Sequence, residues 1–148
     1  MIDFTTLSPL LEKCHCCRIG YYDGEEVYIV PLSFGYALEE DQLVFYLHGA
    51  PQGRRYTLTQ SHPHVGFELD TDYRLIEGPQ AIDYTASFTS IIGNGTLTLI
   101  EDPDHKRRGI QALLAHYSGK NDWPIAPHVL AHTAIYRLVI EKISIREK

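Results

Sequence analysis

Residues 27–55 read VYIVPLSFGYALEEDQLVFYLHGAPQGRR, and this stretch constrains the fold more than any other. Val27 to Tyr36 is apolar and rich in β-branched and aromatic side chains, the composition of a strand. Glu39-Glu40-Asp41 interrupts it with charge. Gln42 to Leu47 is a second apolar and aromatic run, and its core, Leu43 to Leu47, reads as the next strand. Then comes His48-Gly49-Ala50-Pro51-Gln52-Gly53-Arg54-Arg55. Glycine lets a backbone approach a ligand closely. Proline suits the first turn of a helix, where its missing N–H costs nothing. A helix opened by Pro51 and carrying two guanidinium groups near its start is a place for a phosphate.

Three pieces of this stretch, Pro31-Leu32-Ser33-Phe34-Gly35-Tyr36, His48-Gly49-Ala50 and Gly53-Arg54-Arg55, resemble the flavin-binding split barrels of the pyridoxamine 5'-phosphate oxidase-like family. The branch they resemble most is the 5-nitroimidazole resistance (Nim-like) proteins. That branch has a Pro-Leu-Asn-Phe-Gly-Tyr strand, a His-Gly-Ala turn and a Gly-Arg-Lys helix start. Ser33 replaces the asparagine and Arg55 the lysine, and both keep a polar or positive group. A further match is Phe88-Thr89-Ser90-Ile91-Ile92-Gly93-Asn94-Gly95, which resembles the family's aromatic-x-Ser-Val-Ile-Gly-x-Gly strand.

The chain has 148 residues, the size of one domain spanning 1–148, and 44% of them are hydrophobic, enough for a core. No apolar run is long enough to cross a membrane as a helix. MIDFTTLSPL lacks the basic region and apolar core of a signal peptide, so the expected location is the cytoplasm. The formal charge of -6 argues against general nucleic-acid or membrane-surface binding, while leaving room for a local positive site. Cys14, Cys16 and Cys17 are odd in number and crowded, which makes a poor disulfide framework and fits a reducing compartment. No second cysteine cluster completes a four-ligand metal site, and no metal is expected.

Around the central stretch, Thr5 to Lys13 reads as a short helix capped by Thr6 or Ser8, with Pro9 in its first turn. Cys16 to Tyr22 reads as the first strand and Asp23-Gly24 as a hairpin turn. Val65 to Leu69 is a further strand. Asp70 to Pro79 is polar and irregular apart from Leu75-Ile76. Ala81 to Ile100 is mostly of β type, with Gly93 and Gly95 marking a bulge or a close backbone approach. Asp102-Pro103 caps and opens a helix running to about Tyr117, with Ile110, Leu113 and Leu114 inward. A short helix near His128 to Ala131 and a closing strand from Thr133 to Ile145 complete the chain. Many strands with few helices indicate a mainly β barrel with peripheral helices, or an α+β fold. The resemblance implies the barrel.

Arg54 and Arg55 read as a phosphate clamp or as a solvated helix face; the His-Gly-Ala turn ahead of them favours the clamp. His48 titrates near neutrality and reads equally as a proton-handling catalytic group or as a hydrogen-bonded strand-end histidine. The resemblance adds the rest. It implies flavin mononucleotide as cofactor, with Pro31, Leu32, Ser33 and Phe34 along the ring, through backbone groups above all. His48, Gly49 and Ala50 would form the adjoining turn, and Gly53, Arg54, Arg55 and Ser90 would surround the phosphate. It further implies a homodimer with flavin at the subunit interface, and reductase chemistry on a small molecule such as a nitroaromatic. The alternative is the same fold holding flavin or haem for storage or sensing, without turnover. His62-Pro63-His64 and the His128/His132 pair lack the third ligand of a metal site, and the motifs of serine hydrolases, P-loops and dinucleotide folds are absent.

Overall fold

The computed structural model describes residues 3–148. Met1 and Ile2, the start of the N-terminal stretch read above for a leader, lie outside the described residues. Helix α1 spans Phe4–Lys13, and its N-cap is Asp3, whose carboxylate accepts from the Thr5 N–H. The helix therefore starts before Thr6 and Ser8, and Pro9 lies inside it rather than at its first turn. Leu7 and Leu11, four residues apart on one face, are buried.

Seven antiparallel strands follow, β1 (Cys17–Tyr22), β2 (Val27–Leu32), β3 (Gly35–Glu39), β4 (Gln42–Gly49), β5 (His64–Ile76), β6 (Thr85–Leu99) and β7 (Ala134–Glu147). Their order across the sheet is β2-β1-β5-β6-β7-β4-β3. The expected strand from Val27 to Tyr36 is thus two strands at opposite edges of the sheet. Only Ser33 and Phe34 join them. Seven flat strands would put those edges roughly 29 Å apart, whereas the three steps from Leu32 to Gly35 reach about 11 Å. The sheet has to curl until its edges meet, and the outcome is the split barrel. Pro31 cannot donate a ladder hydrogen bond, and its place on an edge strand accommodates that.

The barrel interior holds Tyr21, Phe34, Phe45, Leu47, Phe67, Leu69, Ile91, Leu97, Tyr136 and Leu138. Val44, Tyr46 and Ile135 point the other way, into a smaller cluster that partly buried Ile110 and Ala112 pack against. Both residues belong to helix α3 (Pro103–Ser118). Strand β4 is therefore buried on both faces, which is why its apolar run does not alternate. Helix α3 begins as the sequence implies, with Asp102 as cap and Pro103 first.

Further boundaries differ from expectation. Helix α2 spans Arg54–Ser61 rather than opening at Pro51. Its N-cap, Gly53, sits at φ 101°, outside the helical region, so the preceding turn cannot be helical. Strand β5 continues past Leu69 to Ile76, through an irregularity between Thr71 and Arg74. The long partner β6 pulls this polar stretch into the ladder, pairing Arg74, Leu75 and Ile76 with Ser87, Ala86 and Thr85. Both faces there are exposed, so no alternation signals the strand. A short 3-10 turn, Ala81–Asp83, precedes β6, and helix α4 covers Pro127–Ala131. Gly93 and Gly95 do mark a close approach: an added Cβ would overlap the Lys142 and Val139 carbonyl oxygens, and the β6–β7 register slips between Asn94 and Gly95.

Candidate functional site

Strand β4 ends at His48-Gly49, the last residues paired with β7 (His48 to Ile135, Gly49 to Ala134). The chain then turns through exposed Ala50, Pro51 and Gln52 into α2. Arg55, in the first turn of that helix, reaches back over the strand it has just left. Its Nη2 donates to the His48 carbonyl at 2.7 Å, and its guanidinium carbon lies 5.2 Å from the centre of the Tyr136 ring. The two arginines diverge. Arg54 Nη2 bonds the Glu26 carboxylate at 2.9 Å and stacks 4.3 Å over the Tyr28 ring, facing the β1–β2 hairpin. Gly53 offers no side-chain cap. The first-turn N–H groups of α2 thus form, beside Arg55, a positive end that suits an anion.

Two tyrosines support this corner from inside the barrel. The Tyr21 hydroxyl meets the Thr59 hydroxyl of α2 at 2.9 Å. The Tyr136 hydroxyl is buried beside the Arg55 guanidinium and makes no hydrogen bond of normal geometry. Burial pushes both phenols up, while Arg55 pulls against the shift in each. A buried hydroxyl left unpaired costs free energy, and beside a cationic helix end this one is placed to donate to an anion.

His48 is exposed at the mouth of a cleft of about 450 Å³. Ser33 lines the same cleft, with Ile110, Leu113, Leu114 and Tyr117 of α3 as one wall and Pro124, Ile125, Ala126 and Val129 as another. Partial burial and, after it, the Arg55 charge hold the His48 imidazole below the usual histidine range. At neutral pH it is a neutral ring, able to donate one hydrogen bond and accept another. The cleft is mostly apolar, with Ser33, His48, Tyr117 and Thr133 as its polar groups, a pattern usual for small-molecule sites.

Of the residues expected from sequence, Ser33, His48, Gly49, Gly53 and Arg55 form one neighbourhood. Pro31 and Leu32 lie on edge strand β2, leading into Ser33. The Phe34 side chain points into the core, its ring 5.3 Å from that of Phe45 and 4.6 Å from that of His116. Its backbone N–H donates to the Tyr117 hydroxyl. Ser90 lies elsewhere. It pairs with Asp70 and Arg146, whereas Leu99, nine residues along β6, pairs with Tyr136 beside the site. Nine residues of strand measure about 30 Å. Tyr28, Tyr117 and Tyr136 were not legible as site residues, because each reads locally as an ordinary strand or helix aromatic.

Cys14 and Cys17 are buried and Cys16 is half-buried, all three as free thiols. Burial pushes the Cys14 thiol up to about 11 and raises Cys17 further, which makes both inert. Among the described residues, no three His, Cys, Asp or Glu side chains gather as metal ligands. No helix there is long and apolar enough to cross a membrane.

The fold is shared with solved structures at low sequence identity. A candidate 5-nitroimidazole antibiotic resistance protein from Bacteroides thetaiotaomicron superposes with a TM-score of 0.81 at 22% identity, over 98% of this chain and 84% of that one. The FAD and heme binding protein from Mycobacterium smegmatis gives 0.80 at 16% identity, over 100% and 72%. The flavocytochrome Anf3 from Azotobacter vinelandii gives 0.78 at 18% identity, over 100% and 68%. No curated protein matches the sequence. A profile described as pyridoxamine 5'-phosphate oxidase matches residues 5–147, nearly the whole chain. With that match beside the split barrel and its His48–Arg55 corner, the chain belongs to the pyridoxamine 5'-phosphate oxidase family.

Proposed function

We propose that this protein binds flavin mononucleotide, with the ring along the Ser33–His48 cleft and the phosphate at Arg55 and the start of α2. The observation that carries the reading is the continuity of two chemistries through one residue. His48 presents its ring to an apolar cleft, and its carbonyl holds the cationic group at the anion end. The residues fit the group in three further respects. The α2 N-terminus lacks a side-chain cap. The Tyr136 hydroxyl makes no hydrogen bond of normal geometry. Gly49, having no Cβ, leaves room for the guanidinium tip. The names of the structural relatives, which speak of FAD, haem and a flavocytochrome, support a redox cofactor.

Bound flavin would supply electron transfer to a small acceptor, a nitroaromatic or a compound of similar size and polarity. The chain's own residues would bind, orient and exclude water. Arg55 and the α2 amides neutralise the phosphate. Ile110, Leu113 and Leu114 cover one side of the cleft. His48, neutral at pH 7, gives or takes a proton at the acceptor. Three free cysteines suit a reducing, cytoplasmic setting.

A second copy belongs to this reading. Tyr22, Val27, Ile29 and Ile92 are 58%, 66%, 63% and 52% exposed. Tyr22, Val27 and Ile29 form an exposed apolar patch on the outer face of the β1–β2 edge that a partner would cover, with Ile92 on the same face beyond the Arg18–Glu68 ion pair. Ser90 is buried within its own chain, nine residues along β6 from the Leu99–Tyr136 pair beside Arg55. A homodimer with the cofactor at its interface would account for the exposed edge patch.

The test starts with the absorption spectrum of the purified protein and identification of whatever cofactor it releases. Flavin mononucleotide is expected. Released FAD, or a haem Soret band without flavin, would replace the reading with that of the relatives' cofactors. A colourless protein that takes up no added flavin overturns it. Sedimentation should give about twice the chain mass.

A further inference from the structure

The sequence singles out Cys14-His15-Cys16-Cys17, and the site described above leaves that cluster without a task. Its backbone has one. The last turn of α3 presents two consecutive polar rings, His116 and Tyr117, to two consecutive carbonyls. His116 Nε2 donates to the Cys14 carbonyl at 2.7 Å, and the Tyr117 hydroxyl donates to the His15 carbonyl at 2.6 Å. The His116 side chain is only 2% exposed and packs 4.6 Å from the Phe34 ring. The Tyr117 ring sits edge-on to His116 at 4.8 Å.

The Tyr117 hydroxyl has a single proton, and the His15 carbonyl takes it. The oxygen is left as an acceptor, and the Phe34 N–H donates to it at 3.1 Å. The relay runs one way, from Phe34 N–H through the phenol to His15. A trans peptide is planar, so fixing the Phe34 N–H also fixes the Ser33 carbonyl in the opposite direction. The Ser33–Phe34 peptide is the middle of the short link between the two edges of the barrel. Ser33 and the Tyr117 ring line the same cleft.

We infer that Tyr117 is a positioning residue for the ring of the bound cofactor, aiming the Ser33 carbonyl at a ring N–H by holding the peptide that carries it. This rests on the flavin reading above. It gives the cysteine cluster a role through its carbonyls rather than its sulfurs, as the anchor from which the phenol is held.

The experiment compares the parent with Tyr117→Phe, which keeps the ring and removes the hydroxyl, using flavin mononucleotide and riboflavin as ligands. Both should weaken by the same factor, about three- to tenfold, since one neutral hydrogen bond is lost on the ring side. Exchange of the Phe34 amide should become faster without any ligand present, and the visible spectrum of bound flavin should shift. Equal affinity of parent and variant for both ligands would make Tyr117 merely structural and overturn the inference while the flavin reading stands. Weakening of flavin mononucleotide alone would place its effect at the phosphate and also overturn it. A parent that binds neither ligand removes the flavin reading and the inference together. If Tyr117→Phe does not fold, Phe34 amide exchange in the parent decides: riboflavin should slow it at least threefold, and no change overturns the inference.

Discussion

The tip of the Arg55 guanidinium crosses over Gly49. A Cβ added at residue 49 would overlap Arg55 Nη2, the atom that donates to the His48 carbonyl. Glycine is needed here for space rather than for an unusual backbone angle, since Gly49 is absent from the positive-φ residues. The atom in the way is the free end of a flexible side chain, so the relationship is easily broken without disturbing the fold.

Gly49→Ala should therefore leave thermal stability near that of the parent and displace Arg55. Loss of one charge-assisted contact to a phosphate corresponds to roughly ten- to a hundredfold weaker flavin mononucleotide binding. Arg55→Ala should show a loss of the same order. Riboflavin, which has no phosphate, should bind both variants like the parent. A calorimetric or fluorescence titration with both ligands checks this. Equal weakening of riboflavin would mean that Gly49 serves the ring rather than the phosphate.

Arg54 meets a competitor within the chain. Its partner Glu26 is 70% exposed in its side chain, a surface pair with little intrinsic worth. A phosphate at the start of α2 has to draw Arg54 from that carboxylate. Glu26→Gln should raise flavin mononucleotide affinity, by up to about fivefold at low salt. The gain should shrink as ionic strength rises. Arg54→Ala should abolish it. Unchanged affinity in Glu26→Gln would leave Arg54 as a partner of the hairpin alone.

His48 makes the site sensitive to acid. Its folded pKa lies below the ordinary histidine value, owing to partial burial and to Arg55. Between the two values the unfolded chain binds more protons than the folded one, so stability rises with pH across that window. As pH falls below the ordinary histidine value, this contribution destabilises the fold. His48→Gln should flatten that part of the stability–pH curve, measured by denaturant titration at several pH values. With a flavin bound, the same variant should keep its occupancy and lose turnover. A parallel loss of both would assign His48 to holding the cofactor.

Gly35 opens β3 where that strand presses on α3. A Cβ there would overlap the backbone of Ala112 and Leu113, which cannot rotate aside. Gly35→Ala should cost about 2–3 kcal/mol through overpacking. It should also displace α3 and, with it, the Ile110–Leu113–Leu114 wall of the cleft. Thermal unfolding and riboflavin binding should both deteriorate. A fully stable variant would show that α3 slides without cost.

The elements that local chemistry dictates were legible in the chain alone. The Asp102-Pro103 cap, the Asp23-Gly24 turn and the apolar β4 run each act within a few residues, and each is found where read. That His48 and Arg55 stand close was legible for the same reason, since only six residues lie between them, although their contact through the His48 carbonyl was not. Tertiary structure decided the rest, because the deciding partners are remote in sequence. Val27 to Tyr36 looks like one strand, and only the closure of the barrel splits it at Ser33-Phe34. Residues 70–76 look irregular, and only β6 makes them a strand. Tyr117 is 83 residues from Phe34 and 102 from His15, so no local pattern could join the three. Ser90 and Arg55 come from two motifs that the resemblance assigns to one phosphate, and strand register sets Ser90 nine residues along β6 from the Leu99–Tyr136 pair beside Arg55.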